Sequence, residues 1–176
     1  MRAAKPKSSK ILDIPIEENI PRVFVLFFQT AYAIEKYAEI ELTRAGLSIS
    51  KLVALQILQA NGGTALPSTI AFWMLRERHN ITTLVDRLTR DGLVTAEREN
   101  KGDRRKINVT LTSKGRRALK RTRPVMKRIV DRVMATMNDS SAASLEKQLK
   151  VLRSNAQKGL DETARARYKS VVSPQA

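Results

Sequence analysis

The sequence predicts a mainly α-helical protein interrupted by a two-stranded β-hairpin. Apolar residues recur at helical spacings through most of the chain, whereas Ile107, Val109 and Leu111 alternate with Lys106, Asn108 and Thr110 in the period of a half-buried strand. Aromatic residues make up only 5% of a chain that is 42% apolar, so the core must be largely aliphatic, as suits packed helices. A length of 176 residues predicts one compact unit with at most one appended element.

Residues 1–10 are basic, contain Pro6 and offer too little apolar surface to offset ordering, which predicts a disordered tail. From about Arg22 to Arg44, Val23, Phe27, Ile34 and Tyr37 mark one face of a helix that Gly46 ends. Phe24, Phe28, Ala31 and Ile40 widen that stripe, so this helix must touch more than one neighbour, and a second copy of the chain is one way to supply it. Ser48 or Ser50 caps a short helix over about Lys51–Ala60, with Leu52, Leu55, Ile57 and Leu58 buried. Pro67 suits the first turn of a third helix reaching about Leu75, and a fourth runs from about Asn80 to Arg90, closed by Asp91 and Gly92. LVTAEREN and RRKINVTL then flank a turn at Asn100–Asp103 as a hairpin.

Thr112 or Ser113 caps a long basic helix in which Leu119, Met126, Val130, Val133 and Met137 form a seam that seeks another helix. Pro124 lies inside it and removes a backbone donor, which predicts a bend or a junction of two helices there. Asn138–Ser141 supply a break and a cap, and Leu145, Leu149 and Leu152 mark a last helical stripe. Residues 11–157 therefore read as the folded domain and 158–176 as a polar C-terminal tail.

Charge narrows the partner. The chain has 33 Lys and Arg against 17 Asp and Glu, a net +16, and such a surface needs an acidic partner. Between Arg76 and Arg128 there are 17 Lys and Arg against 6 Asp and Glu, so +11 of the +16 falls in 53 residues. The absence of cysteine excludes disulfides, thiolate metal sites and thiol redox switching. His79 is the only histidine, no side-chain cluster has ligand spacing, and neither a nucleophile turn nor a phosphate-cradling glycine loop occurs. No metal, no cofactor and no catalytic residue are expected. VFVLFF, residues 23–28, is far short of the ~20 residues of a membrane span, and no secretory leader is seen, so a cytoplasmic, nucleoid-associated protein without a membrane partner is expected.

The order of elements describes a winged helix-turn-helix core over about 48–112, with a two-stranded β-wing, flanked by dimerisation helices over about 20–45 and 113–157. On the fourth helix Ile81, Leu84, Val85 and Leu88 take the buried face and leave the polar residues outside. Short polar groups near a helix N-terminus reach base edges in the major groove, while basic groups hold phosphates. Asn80, Thr82 and Thr83 are therefore assigned to base or phosphate contact and Arg87 to phosphate, with Arg78 and His79 beside them at the helix start. Lys101, Arg104, Arg105 and Lys106 cluster around the hairpin tip, where cations on a narrow ribbon can enter the minor groove.

The stretch NITTLVDRLTRDGLVTAERENKGDRRKINVTLTSKGRRAL, Asn80 to Leu119, resembles the recognition helix, wing and following helix of the MarR family. The resemblance implies a homodimeric regulator of transcription that binds double-stranded DNA at a pseudo-palindromic operator, acts as a repressor and is relieved by a small-molecule effector. It also implies that Asp103 orients the wing arginines and that Arg105 or Arg104 enters the minor groove. The segment AFWMLRERHN, Ala71–Asn80, departs from the family pattern of small and polar residues. Two readings of Trp73 stand there: core filling with Met74, or the wall of an effector pocket with Phe28 and Tyr32. An architectural nucleic-acid-binding protein that ignores base sequence is the competing functional class.

Overall fold

A computed structural model describes residues 16–98 and 107–172. The expected basic tail over residues 1–10, the wing tip over 99–106 and the end of the expected polar tail over 173–176 lie outside the described residues. The elements run α1 (Asn19–Arg44), α2 (Ile49–Ala60), β1 (Thr64–Ala65), α3 (Pro67–Met74), α4 (Arg78–Arg90), β2 (Val94–Arg98), β3 (Ile107–Leu111), α5 (Ser113–Val133) and α6 (Asp139–Val172). The chain divides into two units after Val133.

In the first unit each helix stops where its backbone groups find other partners. At the end of α1, Leu47 N–H donates to the Leu42 carbonyl at 3.0 Å and Gly46 N–H to Thr43 at 2.9 Å, and both leucines are buried, which completes a hydrophobic helix stop. Ser48 caps α2, its hydroxyl accepting from Lys51 N–H at 3.4 Å. Leu52, Ala54, Leu55 and Leu58 of α2 enter a core shared with Leu42, Ile70, Ile81, Leu88, Val94 and Val109. Removing any one of the large aliphatic side chains from such a core costs about 2–5 kcal/mol, so this cluster holds the helices in place.

The hairpin pairs β2 with β3 from Val94↔Leu111 to Arg98↔Ile107. β1 adds a third antiparallel strand through Thr64↔Thr110 and Ala65↔Val109, giving the order β1-β3-β2. Two residues carry no readable period, so the sequence did not announce β1. Tertiary hydrogen bonds make it: Leu111 N–H donates to Gly63 at 2.8 Å, and the Thr64 and Thr110 hydroxyls meet at 3.1 Å. The joint between sheet and α5 is equally specific. The Thr112 hydroxyl accepts from Gly115 N–H at 3.0 Å and is shared as donor between the Gly92 and Leu93 carbonyls at 2.8 and 3.0 Å. Only glycine fits at 115, because a Cβ there would overlap the Leu93 carbonyl.

α5 settles one of the two alternatives at Pro124 and shifts the expected apolar stripe. It is a single helix from Ser113 to Val133, and no boundary falls at Pro124. Lys120 and Pro124 are exposed, so the carbonyl that Pro124 leaves unpaired faces water, which lowers the cost of the break. The buried stripe is Ala118, Leu119, Thr122, Val125 and Ile129, rotated from the expected seam. Leu119 holds, but Met126 and Val133 are only partly buried and Val130 is 51% exposed. α1 and α2 cover that rotated face, and Thr122 fits within it because its hydroxyl donates to the Leu119 carbonyl at 2.9 Å.

The second unit is α6 with the turn before it. Asn138 and Ser141 cap the helix reciprocally, the Asn138 Oδ1 accepting from Ser141 N–H at 2.9 Å and the Ser141 hydroxyl from Asn138 N–H at 3.1 Å. Lys150 lies 2.5 Å from Glu146 one turn away, and its hydrogen bond and charge hold that carboxyl below the ordinary carboxylate range. The helix continues through 158–172, most of the segment expected as a polar tail. Leu145, Leu149, Leu152 and Leu160 remain exposed along it.

Candidate nucleic-acid interface

α4 separates its two faces completely. Ile81, Leu84, Val85 and Leu88 are buried, whereas Arg78, His79, Asn80, Thr82, Thr83, Asp86, Arg87 and Arg90 are all exposed. The buried stripe seats the helix against α3, α2 and β2. Gly92, at φ +68°, turns the chain from α4 into β2, a conformation that a residue with a Cβ adopts only at a cost. At the same end Lys51 Nζ lies 2.6 Å from Asp91, tying the start of α2 to the stop of α4.

Every site residue expected on this helix therefore lies on one exposed surface. Arg78, His79 and Asn80 form the first turn, whose N-cap residue Glu77 makes no side-chain cap, and Thr82 and Thr83 follow. The Thr82 hydroxyl donates to the Arg78 carbonyl at 3.2 Å and the Thr83 hydroxyl to His79 at 3.3 Å. With their protons directed to backbone carbonyls, both exposed hydroxyl oxygens keep lone pairs to accept with. Arg87 and Arg90 occupy the last turn, where cations also complement the helix dipole. Arg90 extends the surface assigned from sequence, and its signal was an arginine three residues beyond Arg87.

The turn between α3 and α4 carries strain. Leu75 adopts a left-handed conformation at φ +51° and is 69% exposed, in a position where helices usually place glycine. Its N–H and that of Arg76 nevertheless close the stop on Phe72 and Ala71, at 3.2 and 3.1 Å. Of the wing residues, Lys101, Asp103, Arg104 and Arg105 lie outside the described residues. β2 and β3 fix both ends of their loop through the pair Arg98↔Ile107.

Trp73 corrects the core reading. It is 63% exposed and meets Phe72 edge to face at 5.4 Å, while Met74 alone of the pair packs against the core. α3 has eight residues and buries Ile70 alone, so its far side has no layer above it within the unit. Trp73 instead borders an open groove of about 450 Å³ lined by Val53, Gln56, Ile57, Ala60 and Asn61. Phe28 and Tyr32, expected beside it, are exposed on α1 and are not among the residues lining that groove. Among the described residues no group of three or more His, Asp or Glu side chains is placed to hold a metal ion, and no helix is long and apolar enough to cross a membrane.

Residues 45–106 match the family model described as MarR family. No curated protein matches the sequence. Solved structures match the fold over most of the chain. An organohalide-sensing transcriptional regulator in its 2,4-dichlorophenol-bound form is 23% identical, with 84% of this chain and 89% of that chain covered and a TM-score of 0.71. A mutant MarR from E. coli complexed with operator DNA is 18% identical, with 76% and 94% covered and a TM-score of 0.68. A MarR-family transcriptional regulator from Silicibacter pomeroyi is 26% identical, with 76% and 88% covered and a TM-score of 0.63. The match to the MarR family model thus falls on the helix-turn-helix and wing, and the fold of the chain is similar to that of these winged-helix structures.

Proposed function

We propose that this protein is a sequence-specific regulator of transcription that binds a pseudo-palindromic operator as a homodimer and acts as a repressor. The observation that carries the reading is α4: four buried apolar residues anchor it, and its exposed face combines short polar groups near the N-terminus with arginines at the other end. Asn80 has the amide that pairs with adenine, and Thr82 and Thr83 offer acceptors to the amino groups of adenine or cytosine and methyls to thymine. Arg78, His79 and Arg87 serve the phosphates, and Lys101, Arg104 and Arg105, oriented by Asp103, serve the minor groove. The operator-bound neighbour supports this use of the fold.

Homodimerisation is supported by apolar surface that each unit leaves uncovered. Ile20, Val23, Phe24 and Phe28 of α1 are all more than half exposed, and α6 exposes a leucine stripe. A dimer places two copies of α4 on one duplex, which is what a pseudo-palindrome requires. A small-molecule effector has an apolar wall available at Trp73, Val53 and Ile57, in a groove of ordinary ligand size. The dichlorophenol-bound neighbour supports aromatic effectors as the class to screen. Binding-site selection from random duplex DNA tests the function. One recovered pseudo-palindrome, preferred over scrambled duplex by at least about 10³, is expected, and equal competition by any duplex would establish the architectural class instead.

A further inference from the structure

The solvent face of α5 carries charge that the surface on α4 does not use. α5 contains nine Lys and Arg residues and one acid, Asp131, and all nine cations are exposed. Lys127 pairs with Asp131 at 2.7 Å and Arg132 lies 5.9 Å from the centre of the Tyr37 ring. The other seven, Lys114, Arg116, Arg117, Lys120, Arg121, Arg123 and Arg128, have no ion pair among the described residues. The opposite face of the helix packs on α1 and α2, whereas α4 packs mainly on α3 and β2 and touches α2 as well.

The pattern is a track. Arg116, Lys120, Arg123 and Lys127 stand at i, i+4, i+7 and i+11, one file that rises about 16 Å along the axis. Arg117, Arg121 and Arg128 form a second file beside it. The track begins at Lys114, whose side chain lies against Gly92 at the end of α4. A small anion would engage two or three of these cations and leave the rest repelling one another. A membrane would demand apolar side chains among them, and between Lys114 and Arg128 only Pro124 is both apolar and exposed. A rod of phosphates, with one charge per about 1.7 Å of duplex axis, matches both the length and the density.

We propose that the solvent face of α5 is a second phosphate-binding track, which holds duplex DNA outside the groove that α4 enters. The inference rests on the reading of α4 as a duplex-binding helix, and the experiment separates the two. The full-length R117Q/K120Q/R123Q variant is compared with wild type, with N80A/T82A, and with K147Q/R153Q/K158Q, which removes the same charge from exposed positions on α6. The probe is a long random-sequence duplex, titrated with salt, and thermal melting checks the fold. The α5 variant is expected to melt with wild type, to bind more than tenfold more weakly, and to flatten the log–log salt dependence by about 0.9 unit for each phosphate it no longer neutralises, whereas the α6 variant matches wild type. Equal weakening in the α5 and α6 variants would reduce the effect to net charge and overturn the track. Unchanged affinity and slope in the α5 variant would overturn it while leaving the α4 reading standing. Wild-type binding to vesicles of acidic lipid that the α5 variant abolishes, without any effect on DNA, would reassign the track to a membrane. An N80A/T82A protein that keeps full sequence preference, with the α5 effect intact, would sink the α4 reading alone.

Discussion

α1 and α4 are both amphipathic helices of the first unit, yet they dispose of their apolar residues in opposite ways. α4 buries its four to 8% exposure or less, and nothing apolar remains outside. α1 buries only Ala38 and Leu42, near its C-terminal end, and leaves Phe24 62% and Phe28 58% exposed. The three phenylalanines there stack on one another, Phe24 with Phe28 at 4.8 Å and Phe27 with Phe28 at 6.0 Å. A helix finished within its own chain presents chemistry to a polar partner, whereas a helix left unfinished presents area to an apolar one. The proposed duplex and the proposed second copy follow from that difference.

Charging the unfinished helix should have the largest effect. F24E/F28E places carboxylates where a second copy would bury the rings, so light scattering should fall from about twice the 19.8 kDa chain mass to one chain, and operator affinity should fall more than about 100-fold as avidity disappears. Because both side chains are exposed within the chain, the melting of the isolated fold should change little. A variant that remains dimeric would break the comparison at α1. Leu88 offers the contrasting case. It is fully buried, so Leu88→Ala should cost about 2–5 kcal/mol in denaturant unfolding, with any weaker binding following stability and sequence preference unchanged. The smallest effect belongs to the turn. Leu75→Gly relieves a left-handed leucine that is mostly exposed, and should stabilise the fold by about 1 kcal/mol. Destabilisation would show that the exposed leucine has a partner.

What could be read from sequence divides along the same line. α4 was legible because Ile81, Leu84, Val85 and Leu88 supply a full helical period ahead of Gly92, and its polar face was legible with it. The β2–β3 pairing followed from alternation, but β1 did not, since two residues gain strand geometry only from Thr110 and Val109 across the sheet. On α5 the helical period was legible, but the stripe that the chain buries within itself is rotated from the seam read from sequence. Periodicity allows more than one stripe on a helix rich in aliphatic residues, and packing against α1 and α2 selects Val125 and Ile129 over Val130. Trp73 misled for a related reason: large apolar side chains favour the interior on average, but an eight-residue helix that buries Ile70 alone has no interior on its far side.

The central claim is that the exposed face of α4 carries sequence information. Its most direct test is the ratio of affinities for the selected operator and a scrambled duplex of equal length, measured by competition for wild type and for N80A/T82A. If these side chains read bases, each truncation should cost about 1–3 kcal/mol on the operator, so the ratio should fall by about 30-fold or more while scrambled-duplex affinity stays level. An unchanged ratio in a folded, dimeric N80A/T82A protein would contradict the account and move the reading surface away from α4.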